Sequence, residues 1–227
     1  KILSLEDKIW FIQKLVQAGL KEIEVGAFVR SDRVPQMAQT ELIYEAITQK
    51  TLVMKPARHW VLVPNQKGLE RAIEVKAKNI ALFTAVTDGF NKANIGMTVT
   101  ESFTLYEKLI PEAKKAGMKI RGYVSTAFGC PYEGKVAPKK ALKVIERLAQ
   151  WKLDQISIGD TIGVATPKDV ENVIHPALKI LKAQKTAVHF HDTRGTALAN
   201  ALKAYEMGVR IFDSSAGGLG GCPYAPG

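Results

Sequence analysis

Three times in this chain a helical stretch ends on a glycine and passes within a few residues into a short run of β-formers. The segments are AGLKEIEVGAF (18–28), AGMKIRGYV (116–124) and MGVRIFDSS (207–215). A glycine that can close a helix in the left-handed conformation, followed by a strand, is the helix-to-strand half of a β–α–β repeat. Between these joints the hydrophobic period switches back and forth. It gives strands near 22–28, 60–64, 79–86, 119–126, 155–160, 186–191 and 211–215. Helices are expected near 37–49, 67–77, 100–116, 138–152, 167–182 and 195–207. An opening helix is capped by Ser4, with Ile9, Ile12, Leu15 and Val16 on one face and Gly19 at its end. Such alternation implies parallel strands joined by crossover helices, in a doubly wound sheet or a closed barrel.

The strand patterns favour the barrel. Ile23 and Val25 oppose Glu22 and Glu24, Ile120 and Val124 oppose Arg121, Tyr123 and Ser125, and Val188 and Phe190 oppose His189 and His191. Strands covered by helices on both faces would read as continuous apolar runs. A (β/α)8 barrel, whose interior can be polar near a site at the carboxyl ends of its strands, fits better. Seven strands are one short of that number.

At 227 residues, 46% hydrophobic and without linker-like tracts, the chain is expected to form one folded domain over residues 1–227. No run approaches the roughly 18 to 20 apolar residues of a membrane span, and no signal peptide is visible, so a soluble protein is expected with no membrane partner. Two cysteines, Cys130 and Cys222, are read as thiols in a reducing compartment. The formal charge of +10 is spread over lysines along helices without interleaved aromatics. That pattern suits solvated faces and attraction of a phosphorylated, acidic small molecule better than nucleic acid.

In VHFHDTRG (188–195), positions two apart on a strand point the same way, so His189 and His191 are expected to enter one cavity while Phe190 faces the helices. They suit a divalent metal, with a hydrogen-bonded interior pair as the other reading. Glu24 faces inward by the same alternation, as a base or positioning group, or as a partner of Arg121. Asp160, ending the 155–160 strand, bonds the site or caps the following loop. Asp192 has the opposite parity and reads as a supporting or helix-capping residue. The glycine-rich loop AGGLGGCPYAPG (216–227) suits a mobile segment delivering the Cys222 thiol, or else a tight turn with an incidental cysteine. Cys130 reads as a small buried apolar residue.

Five segments together resemble the 3-hydroxy-3-methylglutaryl-CoA lyase family: IEVGAFVRSDRVPQM (23–37), RGYVSTAFGCPYEG (121–134), ISIGDTIGVATP (156–167), VHFHDTRGTALAN (188–200) and DSSAGGLGGCPYAPG (213–227). The resemblance implies a TIM barrel that cleaves an acyl-CoA thioester to acetyl-CoA and acetoacetate with Mg2+ or Mn2+. It implies metal binding by His189 and His191, catalytic roles for Cys222, His189, Glu24 and Asp160, and substrate contacts at Tyr123 and Ser157. It further implies a homodimer, in the cytoplasm if bacterial or the mitochondrial matrix if eukaryotic. The family's Arg-Asp-Gly segment on the first barrel strand and its asparagine after the GCPYA loop have no counterpart here. An incomplete barrel, lacking its first strand and its C-terminal part, is therefore expected. The competing readings are a related metal-dependent enzyme condensing acetyl-CoA with a 2-oxo acid, like isopropylmalate or homocitrate synthase, and an inactive or nucleic-acid-binding scaffold.

Overall fold

The computed structural model describes residues 2–218 and 222–225. In chain order its elements are α1 (Leu5–Gln17), β1 (Glu22–Ala27), α2 (Thr40–Thr48), β2 (Arg58–Leu62), α3 (Gln66–Glu74), β3 (Asn79–Ala85), α4 (Asp88–Ile95), α5 (Val99–Lys115) and β4 (Lys119–Ser125). There follow β5 (Gly129–Cys130), β6 (Gly134–Lys135), α6 (Pro138–Gln150), β7 (Gln155–Asp160), α7 (Pro167–Ile180), β8 (Thr186–Phe190), α8 (Ala197–Glu206) and β9 (Ile211–Asp213). All seven expected strands form, and the three glycine joints adopt left-handed φ values of +87° (Gly19), +74° (Gly117) and +102° (Gly208). Helix α4 and the β5/β6 hairpin were not expected.

The main sheet has the strand order β1-β2-β3-β4-β7-β8-β9, which is the order of the chain. The pairs β1/β2, β2/β3, β4/β7, β7/β8 and β8/β9 are parallel. A doubly wound sheet reverses its order at a switch point. This one never does, and the sequential order is that of a TIM barrel wall, as expected.

The chain divides into two compact units, residues 1–82 with 105–120 and residues 83–104 with 121–227. In the first, Ser4 Oγ accepts from the Asp7 amide at 3.1 Å and starts α1, which buries Ile12 and Val16. Its core holds Trp60, Val61, Leu69, Ile80 and Leu109, each at most 1% exposed. Buried Trp60 keeps its indole N–H satisfied by donating to Glu22 Oε2, while Arg58 donates to Glu22 Oε1, both at 2.9 Å. Burying each such aliphatic side chain contributes about 1.5–3 kcal/mol.

In the second unit, α6 turns Ala141, Val144, Ile145 and Leu148 inward and α7 turns Val170, Val173, Ile174 and Ala177 inward, both at helical spacing. A capping box fixes the start of α7: Thr166 Oγ1 accepts from the Asp169 amide, and Asp169 Oδ2 accepts from the Thr166 amide. These helices leave one face of β4, β7 and β8 to polar side chains. Arg121 and Ser157 are buried there at 5% and 1% exposure, and Asp160, of opposite parity at the end of β7, is 0% exposed. Buried polar groups must find partners, and those partners define the site.

Candidate active site

Strand β8 delivers the two histidines. Its alternation puts His189 and His191 on the same side, with ring centroids 4.9 Å apart and Nε2 to Nε2 at 3.1 Å. Phe190, between them, packs against Phe128 at 6.0 Å between ring centroids. The parallel register then sets the neighbours. Tyr123 on β4 pairs with Ser157 on β7, Ser157 with Ala187 on β8, and His189 with Asp213 on β9.

Asp213 joins these strands chemically. Its carboxylate accepts from Arg121 Nη2 at 2.5 Å and from Ser157 Oγ at 2.6 Å, and Oδ2 lies 3.9 Å from His189 Nδ1. The Arg121 guanidinium also lies 5.1 Å from the centre of the Tyr123 ring. A carboxylate on the Nδ1 side of an imidazole orients the ring and leaves Nε2 to act. Asp213 escaped the sequence reading, although its parity opposite Phe212 put it on the polar face. What sequence cannot supply is the register that sets it opposite His189.

Burial lowers the pKa of both imidazoles. For His189, Asp213 pulls upward while His191 and Arg121 push further down. For His191, Asp160 opposes the effect of burial. The pair is therefore neutral at physiological pH, and a contact between two ring nitrogens at 3.1 Å needs one Nε2–H donating to the other's lone pair. Both Nε2 atoms thus point at one locus, the disposition two imidazole ligands take around a cation. The donor set fits a divalent ion to that extent. Among the described residues no group of three or more His, Cys, Asp and Glu side chains is placed to hold a metal.

Asp160 does both things its position allowed. Its carboxylate accepts from the Val164 and Ala165 amides at 3.2 and 2.9 Å, capping the loop after β7, and it also interacts electrostatically with His191. Burial raises its pKa, opposed chiefly by those two amides. Asp192 has the structural role, its Oδ1 accepting from the Ala197 amide at 2.8 Å at the start of α8. Glu24 belongs to the first unit, exposed on β1 opposite Trp60 and followed by an irregularity of the β1/β2 register.

Cys222 is half-buried, and its carbonyl accepts from the Ala225 amide at 3.0 Å. Leu219, Gly220 and Gly221 of the same loop, and Pro226 and Gly227 beyond it, lie outside the described residues. Cys130 is buried as expected, but it is more than an apolar filler. Its Sγ accepts from Thr87 Oγ1 at 3.1 Å and from the Tyr132 and Glu133 amides at 3.4 and 3.3 Å.

A family model described as HMGL-like matches residues 1–223. The chain belongs to the HMGL-like family. It is 44% identical over 226 residues to the cytoplasmic 3-hydroxy-3-methylglutaryl-CoA lyase of Rattus norvegicus, covering all of this chain and 65% of that protein. The crystal structure of the HMG-CoA lyase from Brucella melitensis superposes with a TM-score of 0.93 at 41% identity, over 100% of this chain and 79% of that one. An HMG-CoA lyase from Acinetobacter baumannii, in complex with coenzyme A and 3-methylmalate, superposes at a TM-score of 0.92 and 34% identity, over 100% and 72% of the two chains. These HMGL-like relatives share the parallel α/β fold over the whole chain. No helix among the described residues is long and apolar enough to cross a membrane.

Proposed function

We propose that this chain carries the reaction centre of a lyase that cleaves 3-hydroxy-3-methylglutaryl-CoA to acetyl-CoA and acetoacetate. The observation that carries the proposal is the convergence of His189 and His191, held from behind by Asp213, Arg121 and Ser157, in a member of a family whose relatives are named for that reaction. The coenzyme A bound to the Acinetobacter relative supports an acyl-CoA substrate.

Cleavage needs one proton removed from the tertiary hydroxyl and one delivered to the carbon that becomes the acetyl methyl group. As the C2–C3 bond breaks, C3 becomes the ketone of acetoacetate and the electron pair passes to C2 as a thioester enolate. The two proton transfers balance. His189 and His191 would hold a divalent cation, Mg2+ or Mn2+, which when bound supplies Lewis-acid polarisation of substrate oxygens. Asp160, a carboxyl made less acidic by burial, can hold a proton beside His191. The Cys222 thiol protonates the enolate carbon. Tyr123 faces the substrate. Ser157, 1% exposed with its hydroxyl donated to Asp213, works by fixing that carboxylate.

The test is to incubate the full-length enzyme with a divalent cation and either hydroxymethylglutaryl-CoA or acetyl-CoA plus a panel of 2-oxo acids. Release of acetoacetate from the first is expected. Condensation in the second, without cleavage in the first, would replace this reading with the synthase one.

A further inference from the structure

The tetrapeptide Gly-Cys-Pro-Tyr occurs twice, at 129–132 and 221–224, and the two tyrosines meet. Tyr132 Oη donates to Tyr224 Oη at 3.0 Å, and their rings lie 5.9 Å apart in an edge-to-face arrangement. Phe90 completes the cluster, 5.0 Å from Tyr224 and 6.3 Å from Tyr132 between centroids. These distances and tilts are those of favourable aromatic contacts. Phe90 is 2% exposed, whereas Tyr132 is 53% exposed, so Tyr132 adds little to the core.

One side of this cluster is rigid. The turn carrying Tyr132 is tied down by Cys130 Sγ, which accepts from the Tyr132 and Glu133 amides and from Thr87 Oγ1. Glu133 in turn accepts from the Gly89 amide at 2.8 Å and from Lys140 Nζ at 3.1 Å. The other side carries the thiol. Cys222 and Ala225 close a turn through the 3.0 Å bond between their backbones, with Pro223 second in the turn, where its fixed φ is preferred. Tyr224 therefore cannot shift far without taking Cys222 with it.

We propose that Tyr132 is a positioning residue for the Cys222 thiol: with Phe90 it grips Tyr224, and the Cys222–Ala225 turn transmits that grip to the sulfur. Its catalytic consequence rests on the role given to Cys222 above. Tyr132 is then the abutment and Tyr224 the part that rests on it.

The experiment uses the full-length enzyme and the Tyr132→Phe and Tyr132→Ala variants. It measures the rate of Cys222 alkylation by iodoacetamide, with buried Cys130 as internal reference, together with kcat, KM and thermal unfolding. Removing the grip raises the released population. Tyr132→Ala should alkylate Cys222 about fivefold faster or more and lower kcat about tenfold with little change in KM or unfolding temperature. Tyr132→Phe, which keeps the ring and loses the hydroxyl, should fall between it and wild type. Wild-type alkylation rates in a folded Tyr132→Ala would overturn the proposal. Should that variant not fold, wild-type rates in Tyr132→Phe would do the same. Cys222→Ala separates the two readings: retained turnover there refutes the role of the thiol, whereas an unchanged Cys222 alkylation rate in Tyr132→Ala refutes the grip.

Discussion

At Asp213 one carboxylate receives a guanidinium from Arg121, a hydroxyl from Ser157 and, at 3.9 Å, the Nδ1 side of His189. Asp213→Asn keeps the shape and removes the charge that orients the imidazole. Groups behind a metal-binding histidine typically contribute 10–100-fold to affinity. Calorimetric titration with Mn2+ should accordingly show about a 10–100-fold weaker site in a protein that still folds. Cys222→Ala should lower kcat by about 10²–10⁴-fold with the unfolding temperature unchanged, because a half-exposed thiol contributes little packing. Much of this site was legible from parity alone: two residues apart on a strand is one face, and His189 and His191 obey it. The Arg121–Asp213 pair was not, because its members stand 92 residues apart and meet only through the order and register of strands.

At the scale of elements, the loops after β7 and β8 meet at Gly163. This residue has φ +62°, and a Cβ added there would lie 2.6 Å from Thr193 Oγ1 and 2.9 Å from the Thr193 nitrogen. Gly163→Ala combines a left-handed backbone cost of about 1–2 kcal/mol with a clash against backbone two residues past His191. A lower urea midpoint and weaker Mn2+ binding should appear together; an unchanged midpoint would show that the loop yields freely. The strands were readable because their alternation and glycine joints are local. Helix α4 was not: its sequence DGFNKANI has weak helix propensity, and tertiary bonds hold it. Asn91, 0% exposed, accepts from the Ala85 amide at 2.9 Å and donates to the Met97 carbonyl at 3.1 Å. The β5/β6 hairpin depends likewise on Cys130 and Glu133 bonding outside their own segment.

For the molecule as a whole, His59 ties stability to pH. Burial pushes its imidazole below the ordinary value, and it packs edge-on to Tyr44 with centroids 5.5 Å apart. The unfolded chain takes up a proton near pH 6.5 while the folded chain resists it, so this contribution is complete above about 6.5 and lost as pH falls from there toward the folded pKa. Denaturant unfolding at pH 7.5 and 5.5 should show a smaller pH difference for His59→Phe than for wild type. The sequential parallel sheet and the polar face of β4, β7 and β8 were legible as a barrel in the sequence, since strands covered by helices on both faces would read as continuous apolar runs. The proposal depends first on His189 and His191 together holding a divalent cation. It is tested most directly by Mn2+ titration of the full-length enzyme, followed by the electron paramagnetic resonance of free Mn2+, in wild type, His189→Ala and His191→Ala. The expected result is a site in wild type whose affinity falls at least about tenfold in each variant; wild-type affinity in both variants would contradict it.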